Sequence, residues 1–213
     1  MGNCQKLRGG GPVNYIDQLF RDHPDGEGYA DGYLTHLAEV LAQIDRREVA
    51  AFADALLDAR RRDARIFFIG NGGSAATASH WVNDLTRWRD QPFRALSLTE
   101  NVAVLTAYGN DFGYEQVFVR QLQTLMAPGD VVVAISASGN SPNIQLAIDY
   151  ATENGAVTVG LTGFDGGRLR EVAQLTIHVP TDRGEYGPVE DAHMVLNHLV
   201  TSYLERLCAS GPV

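Results

Sequence analysis

The sequence has only two cysteines, Cys4 and Cys208, set near its opposite ends. That argues against a disulfide framework and against a cysteine-rich zinc site, and it suits a reducing, cytoplasmic setting. Positive charge is also scarce: Lys6 is the sole lysine, and 17 basic residues face 26 acidic ones for a formal net charge of −9. Broad electrostatic capture of nucleic acid or of an anionic membrane surface is therefore not expected, and any anionic ligand has to be held locally. No apolar run approaches the roughly 20 residues of a spanning helix, and the start lacks the apolar stretch of a signal peptide. Met1-Gly2-Asn3-Cys4 looks like an acylation start, but Lys6 stands where that motif uses Ser or Thr. What remains is 213 residues, 45% hydrophobic and 20% charged, which suffices for one globular domain with a real core.

Residues 1–28 are Gly-rich and patternless and read as a flexible extension, with Tyr15, Ile16, Leu19 and Phe20 forming at most one amphipathic turn. Residues 29–213 read as a single domain. From Tyr33 onward Leu34, Leu37, Val40, Leu41 and Ile44 recur at helical spacing, followed by Val49, Phe52, Leu56 and Leu57. Helices of this kind ahead of a first strand suit packing against a partner subunit. After Ala64 five short apolar runs (65–70, 93–98, 130–136, 156–162 and 174–180) alternate with helical patterns at 74–88, 100–108, 113–126, 141–153 and 187–208. The unbroken Val131-Val132-Val133-Ala134-Ile135 has the character of a strand buried on both faces. The expectation is an α/β fold: a doubly wound, five-stranded parallel sheet sandwiched by helices, with ligands bound beyond the carboxyl ends of its strands.

Two loops at that edge suit a phosphate. Gly70-Asn71-Gly72-Gly73-Ser74 runs from the first strand straight into a helix, offering glycine backbone, unpaired N–H groups and a hydroxyl. It is neither a dinucleotide fingerprint nor a P-loop, and a tight connection alone would look the same. Ser136-Ala137-Ser138-Gly139-Asn140-Ser141-Pro142 repeats the arrangement after the third strand, with three serines able to hold one phosphate without a charged side chain. Ser141 followed by Pro142 also reads as an N-cap, and both readings can hold together.

His80 and Asp84 lie four residues apart and share one face of the helix after the glycine loop. Glu190 and His198 lie eight apart on the last helix, diverging by about 80°. Two imidazoles and two carboxylates are a ligand set for zinc or a similar ion, although each pair alone also fits a solvated helix face or an ordinary hydrogen bond. Asn110-Asp111 follows a helical stretch and doubles as a helix stop signal.

Gly70 to Ala75 with His80, Asn110-Asp111, Ser136 to Ser141, Thr162-Gly163-Phe164-Asp165-Gly166-Gly167 and His198 together resemble the SIS (sugar isomerase) domain over about residues 33–208. Within it they resemble the D-sedoheptulose 7-phosphate isomerase (phosphoheptose isomerase) branch. The resemblance implies aldose–ketose isomerisation of a sugar phosphate through an enediolate. It implies phosphate held by Ser74, Ser136, Ser138 and Ser141 with Asn71, Gly72, Gly73 and Ala137, and sugar contacts from Asn110, Asp111 and Glu190. It places Zn2+ among His80, Asp84, Glu190 and His198, with Asp84 as base and His198 as acid. The sequence departs from the family at two of these: Asp84 replaces a longer Glu, and Glu190 replaces a neutral Gln. The departures offer Glu190 as a replacement base. A homotetramer with sites completed across subunits is implied as well. The alternative is a non-catalytic SIS adaptor of the replication-initiator-binding type or a sugar-phosphate-binding regulator, neither of which needs the quartet kept in register.

Overall fold

The computed structural model describes residues 13–87 and 92–209. Cys4 and the acylation-like start lie outside the described residues. Among the described residues three helices, α1 (Tyr15–Asp22), α2 (Gly26–Gln43) and α3 (Arg46–Arg61), precede the first strand. Each is started by a side-chain cap: Asn14 accepts from the Asp17 N–H at 2.9 Å, Asp25 from Gly28 at 2.8 Å and Asp45 from Arg47 at 2.8 Å. Then β1 (Arg65–Gly70), α4 (Gly73–Thr86), β2 (Arg94–Ser97), α5 (Val102–Phe112), α6 (Val119–Leu125), β3 (Val131–Ser136), α7 (Pro142–Glu153), β4 (Val157–Thr162), α8 (Gly167–Val172), β5 (Leu175–His178) and α9 (Tyr186–Ala209) follow. All strand pairs are parallel, in the order β2-β1-β3-β4-β5. The doubly wound sheet is the expected one, and the chain reverses its direction of winding between β1 and β3. The two Gly/Ser loops leave the sheet side by side at that switch point.

Alternate strand residues feed two apolar layers. Ile66, Phe68, Val131, Val133 and Ile135 face α3, α4 and α9, while Phe67, Ile69, Val132 and Ala134 face α6, α7 and α8. Trp81 of α4 is fully buried, stacked on Phe68 at 5.7 Å and edge-on to Phe52 at 5.4 Å. Rings of this size dominate core energetics, and truncating one to Ala costs about 3–5 kcal/mol. The helix presenting His80 and Asp84 is thus anchored from behind.

Several local expectations change. The stretch read as one amphipathic turn is the two-turn helix α1, and α2 begins at Gly26 rather than Tyr33 because the Asp25 cap offsets the poor propensity of its glycines. The helix expected at 113–126 is broken: Gly113 sits at φ +94°, a short 3-10 turn covers Tyr114–Gln116, and α6 starts only at Val119. Helix α8 lies in a stretch given no element by pattern. Helix α5 has no buried residue at all, and Val102 and Phe112 are exposed. Among the described residues no helix is long and apolar enough to cross a membrane.

Candidate active site

The two loops are tied together by their amides. Asn71 Nδ2 donates to Asn143 Oδ1 at 2.9 Å, Asn143 Nδ2 donates to Asn71 Oδ1 at 2.8 Å, and the Tyr114 hydroxyl donates to the same Asn71 oxygen at 2.9 Å. The Asn71 side chain is thereby spent largely on loop-to-loop bonding. Above this pair lies a cavity of about 120 Å³ lined by Asn71, Ser74, Ser136, Ala137, Ser138 and Ser141, with Glu190 and Tyr186 closing it from α9. Ser141 is the N-cap residue of α7 by position, but its hydroxyl makes no capping bond. That hydroxyl is left to the cavity, whereas Pro142 at the start of α7 has no N–H and the Ile144 N–H is taken by Ser141 O and Asn143 Oδ1, each at 3.0 Å. Among the described residues no Lys or Arg lines the space, so an anion here would rest on hydroxyls and backbone N–H groups.

Gly72 and Gly73 form the start of α4. A Cβ on Gly73 would stand 2.1 Å from Glu190 Oε2, so the carboxylate lies directly against the first turn of α4. Burial, aided by neighbouring Asp191, raises the Glu190 pKa above the ordinary carboxylate value. Glu190 was expected among the metal ligands, but the structure does not gather it with the others. Eight residues before His198, it lies about 12 Å back along the axis of α9 and is turned toward Gly73.

His80, Asp84 and His198 do converge, with their ligand atoms all within 4.8 Å of one another. The two imidazole Nε2 atoms are 3.1 Å apart, and His80 Nε2 is 3.4 Å from Asp84 Oδ2. A neutral imidazole nitrogen is either donor or acceptor, so two Nε2 atoms aimed at each other and at one carboxylate satisfy few bonds among themselves. As donors to one cation all three are satisfied, and the set suits zinc or a similar divalent ion. Asp84 is 5% exposed, and both its oxygens are engaged: Asn83 Nδ2 donates to Oδ1 at 3.1 Å and Asn197 Nδ2 to Oδ2 at 2.9 Å.

Asn110 and Asp111 are not brought to this site. They sit exposed near the end of α5, Asn110 Nδ2 donating to Asp111 Oδ1 at 2.8 Å, and neither lines the cavity. Pattern reading gave no role to Asn143, Asn197 or Tyr114. Asn197 had one available signal, a polar residue between Leu196 and Leu199 directly before a candidate ligand. His193 is fully buried with Nε2 3.3 Å from the Thr162 carbonyl, and burial pulls its pKa down to about 4. At the mouth, the loop before α9 is held to α2 by the His36–Glu185 pair at 3.1 Å, with Glu185 1% exposed. Away from the site, α2, α3 and α9 enclose a larger groove of about 390 Å³, mainly apolar, lined by Leu41, Ile44, Val49, Val195, Leu199 and Tyr203 among others.

Residues 29–163 match the SIS domain family. A phosphoheptose isomerase of Akkermansia muciniphila is 41% identical over 187 residues, 86% of this chain and 95% of that protein. Another, from Geobacter sp. strain M21, is 40% identical over 154 residues, 71% of this chain and 79% of the relative. The solved phosphoheptose isomerase of Neisseria gonorrhoeae superposes with a TM-score of 0.79 at 30% identity, covering 84% of this chain and 98% of that one. The relatives weigh against the adaptor reading, as does a ligand cluster that binding alone does not need. With the match spanning well over half its length and these enzymes covered over 79–98% of theirs, the chain belongs to the SIS domain family, in its phosphoheptose isomerase branch, and is a phosphosugar isomerase.

Proposed function

We propose that the protein is a cytoplasmic, zinc-dependent aldose–ketose isomerase acting on sedoheptulose 7-phosphate or a closely related sugar phosphate. The observation that carries the reading is the convergence of His80, Asp84 and His198 within 4.8 Å, on the same two helices that wall the serine-lined cavity. The phosphate rests on Ser74, Ser136, Ser138 and Ser141 with the backbone of their loops, which leaves the carbon chain to run along α4 and α9 toward the trio. His80, Asp84 and His198 would hold the zinc ion, which when bound would supply polarisation of a substrate carbonyl. Glu190 takes the carbon-bound proton and returns it to the adjacent carbon. Its raised pKa brings it closer to neutral working pH, where a base both accepts and releases protons efficiently. At rest against Gly73 its carboxylate already lines the cavity. Asp84, with both oxygens held by amides, is suited to holding a cation rather than to shuttling protons. His198 turns Nε2 to the trio, so its Nδ1 is left to carry a proton to a substrate oxygen.

The groove of α2, α3 and α9 and the uncovered helix α5 suit a homotetramer, in which a second copy brings Asn110 and Asp111 to a neighbour's cavity. The test combines zinc content, turnover of sedoheptulose 7-phosphate within a panel of ketose phosphates, and two variants. Glu190→Gln should abolish isomerisation while keeping zinc, and Asp84→Asn should chiefly weaken zinc binding. Full activity in Glu190→Gln would remove Glu190 as base, and metal-free protein with full activity would remove the zinc.

A further inference from the structure

We propose that Asn197 is a positioning residue that fixes the Asp84 carboxylate as a metal ligand, a proposal that rests on the metal-dependent reading above. Asn197 is 0% exposed and immediately precedes His198 on α9. Its Nδ2 reaches Asp84 Oδ2 at 2.9 Å, and that is the oxygen standing 3.4 Å from His80 Nε2. One helix therefore supplies a ligand, His198, and in the adjacent position the donor that orients a ligand on the other helix. With a single methylene, Asp84 cannot move its oxygens far from α4, so the rotation of its carboxylate decides whether Oδ2 faces the imidazoles. Asn197 and Asn83 set that rotation from two sides.

The second observation is the other end of the same amide. Asn197 Oδ1 is buried with no hydrogen-bond partner among the described residues, a feature that costs stability. Leu196 and Val200 beside it are buried apolar residues, and leucine, close to asparagine in shape, would carry no unmet acceptor there. An amide kept where packing alone favours leucine is there for its N–H, and the group that receives the N–H is Asp84. Partners of this kind also keep a carboxylate from wandering into other bonds, so Asp84 stays a ligand and proton transfer falls to Glu190.

The experiment measures zinc affinity by competition with a chromophoric chelator, thermal unfolding, and binding of inorganic phosphate, for wild type and Asn197→Leu. The expected result is one zinc per wild-type chain, and in the variant a zinc Kd raised about 10- to 100-fold, unchanged phosphate binding, and a zinc-free unfolding temperature close to wild type, because the bond lost at Asp84 and the unmet Oδ1 removed with the amide oppose each other. Added zinc should recover activity in the variant. Asn197→Ala answers the same question should the leucine variant fail to fold. Unchanged zinc affinity in the variants overturns the role of Asn197 and leaves the metal reading standing. Loss of affinity only in step with a lowered unfolding temperature overturns it too, as a structural effect. A wild-type protein that binds no zinc overturns both.

Discussion

Replacing Gly73 by Ala separates the placement of Glu190 from the stability of the fold. The backbone at Gly73 is not in the left-handed region, so alanine is accepted without strain, and at a helix start it gains at most about 1 kcal/mol over glycine. Its Cβ, however, would lie 2.1 Å from Glu190 Oε2 and 2.3 Å from Cδ. Ordinary contact begins at 3.4 Å, so the carboxylate has to retreat by about 1.3 Å, the difference between 3.4 and 2.1 Å. That retreat is cheap in stability because it moves the far end of a flexible side chain. A displacement near 1 Å of a catalytic group can cost on the order of 100-fold in rate, which is about 2.7 kcal/mol of barrier. Steady-state kinetics on the ketose phosphate should show kcat down about 100-fold, with the inhibition constant of inorganic phosphate little changed and thermal unfolding unaltered. Gly72→Ala is the contrasting control: nothing lies within 4 Å of its Cβ, but its φ of +55° strains alanine, so it should lose stability of order 1 kcal/mol rather than rate. Wild-type kcat in Gly73→Ala would refute the placement of the base.

Three further outcomes are expected. The His193 pKa is lowered from 6.5 to about 4 by burial, so as pH falls through 6.5 the unfolded chain takes up a proton that the folded chain refuses until about 4; stability is lost across that window, by about 2 kcal/mol at pH 5, and His193→Gln should flatten that part of a denaturant-measured stability profile. Ser141→Ala should raise KM for the sugar phosphate about 10- to 100-fold by deleting one hydrogen bond to a charged group, without changing thermal unfolding, since that hydroxyl caps nothing. Chelator treatment should remove turnover yet leave inorganic phosphate binding intact, as the trio and the serine loop are built from different residues, and restored zinc should bring turnover back.

The sheet and its two loops were legible because glycine and serine clusters punctuate apolar runs such as Val131 to Ile135, and punctuation of that sort is local. His80 and Asp84 were legible because one helical turn joins them whatever surrounds it. Helix α8 was not, since Gly166 and Gly167 at its start read as loop and what secures it is long-range: Leu169 packed against the sheet and Arg168 paired with Asp149 at 2.8 Å. Glu190 was found as a residue, but its resting position outside the trio was not legible, because that position depends on the missing Cβ of Gly73, more than a hundred positions away in the chain. Asn110 and Asp111 do not line the cavity of their own chain, and nothing in the sequence signals which copy's cavity their helix would face. Asn197 escaped because a single asparagine in an apolar helix face looks like tolerated variation until its partner is seen.

The reciprocal pair of Asn71 and Asn143 has a consequence for how such a site changes over time. Each amide fills both the donor and the acceptor need of the other, and Tyr114 leans on the same oxygen. A substitution at either position leaves its mate with unmet polar groups in a half-closed space. The two positions, 72 residues apart in sequence, are therefore expected to drift as a unit, and the anion-holding edges of two separate strand-to-helix turns are inherited together or remodelled together.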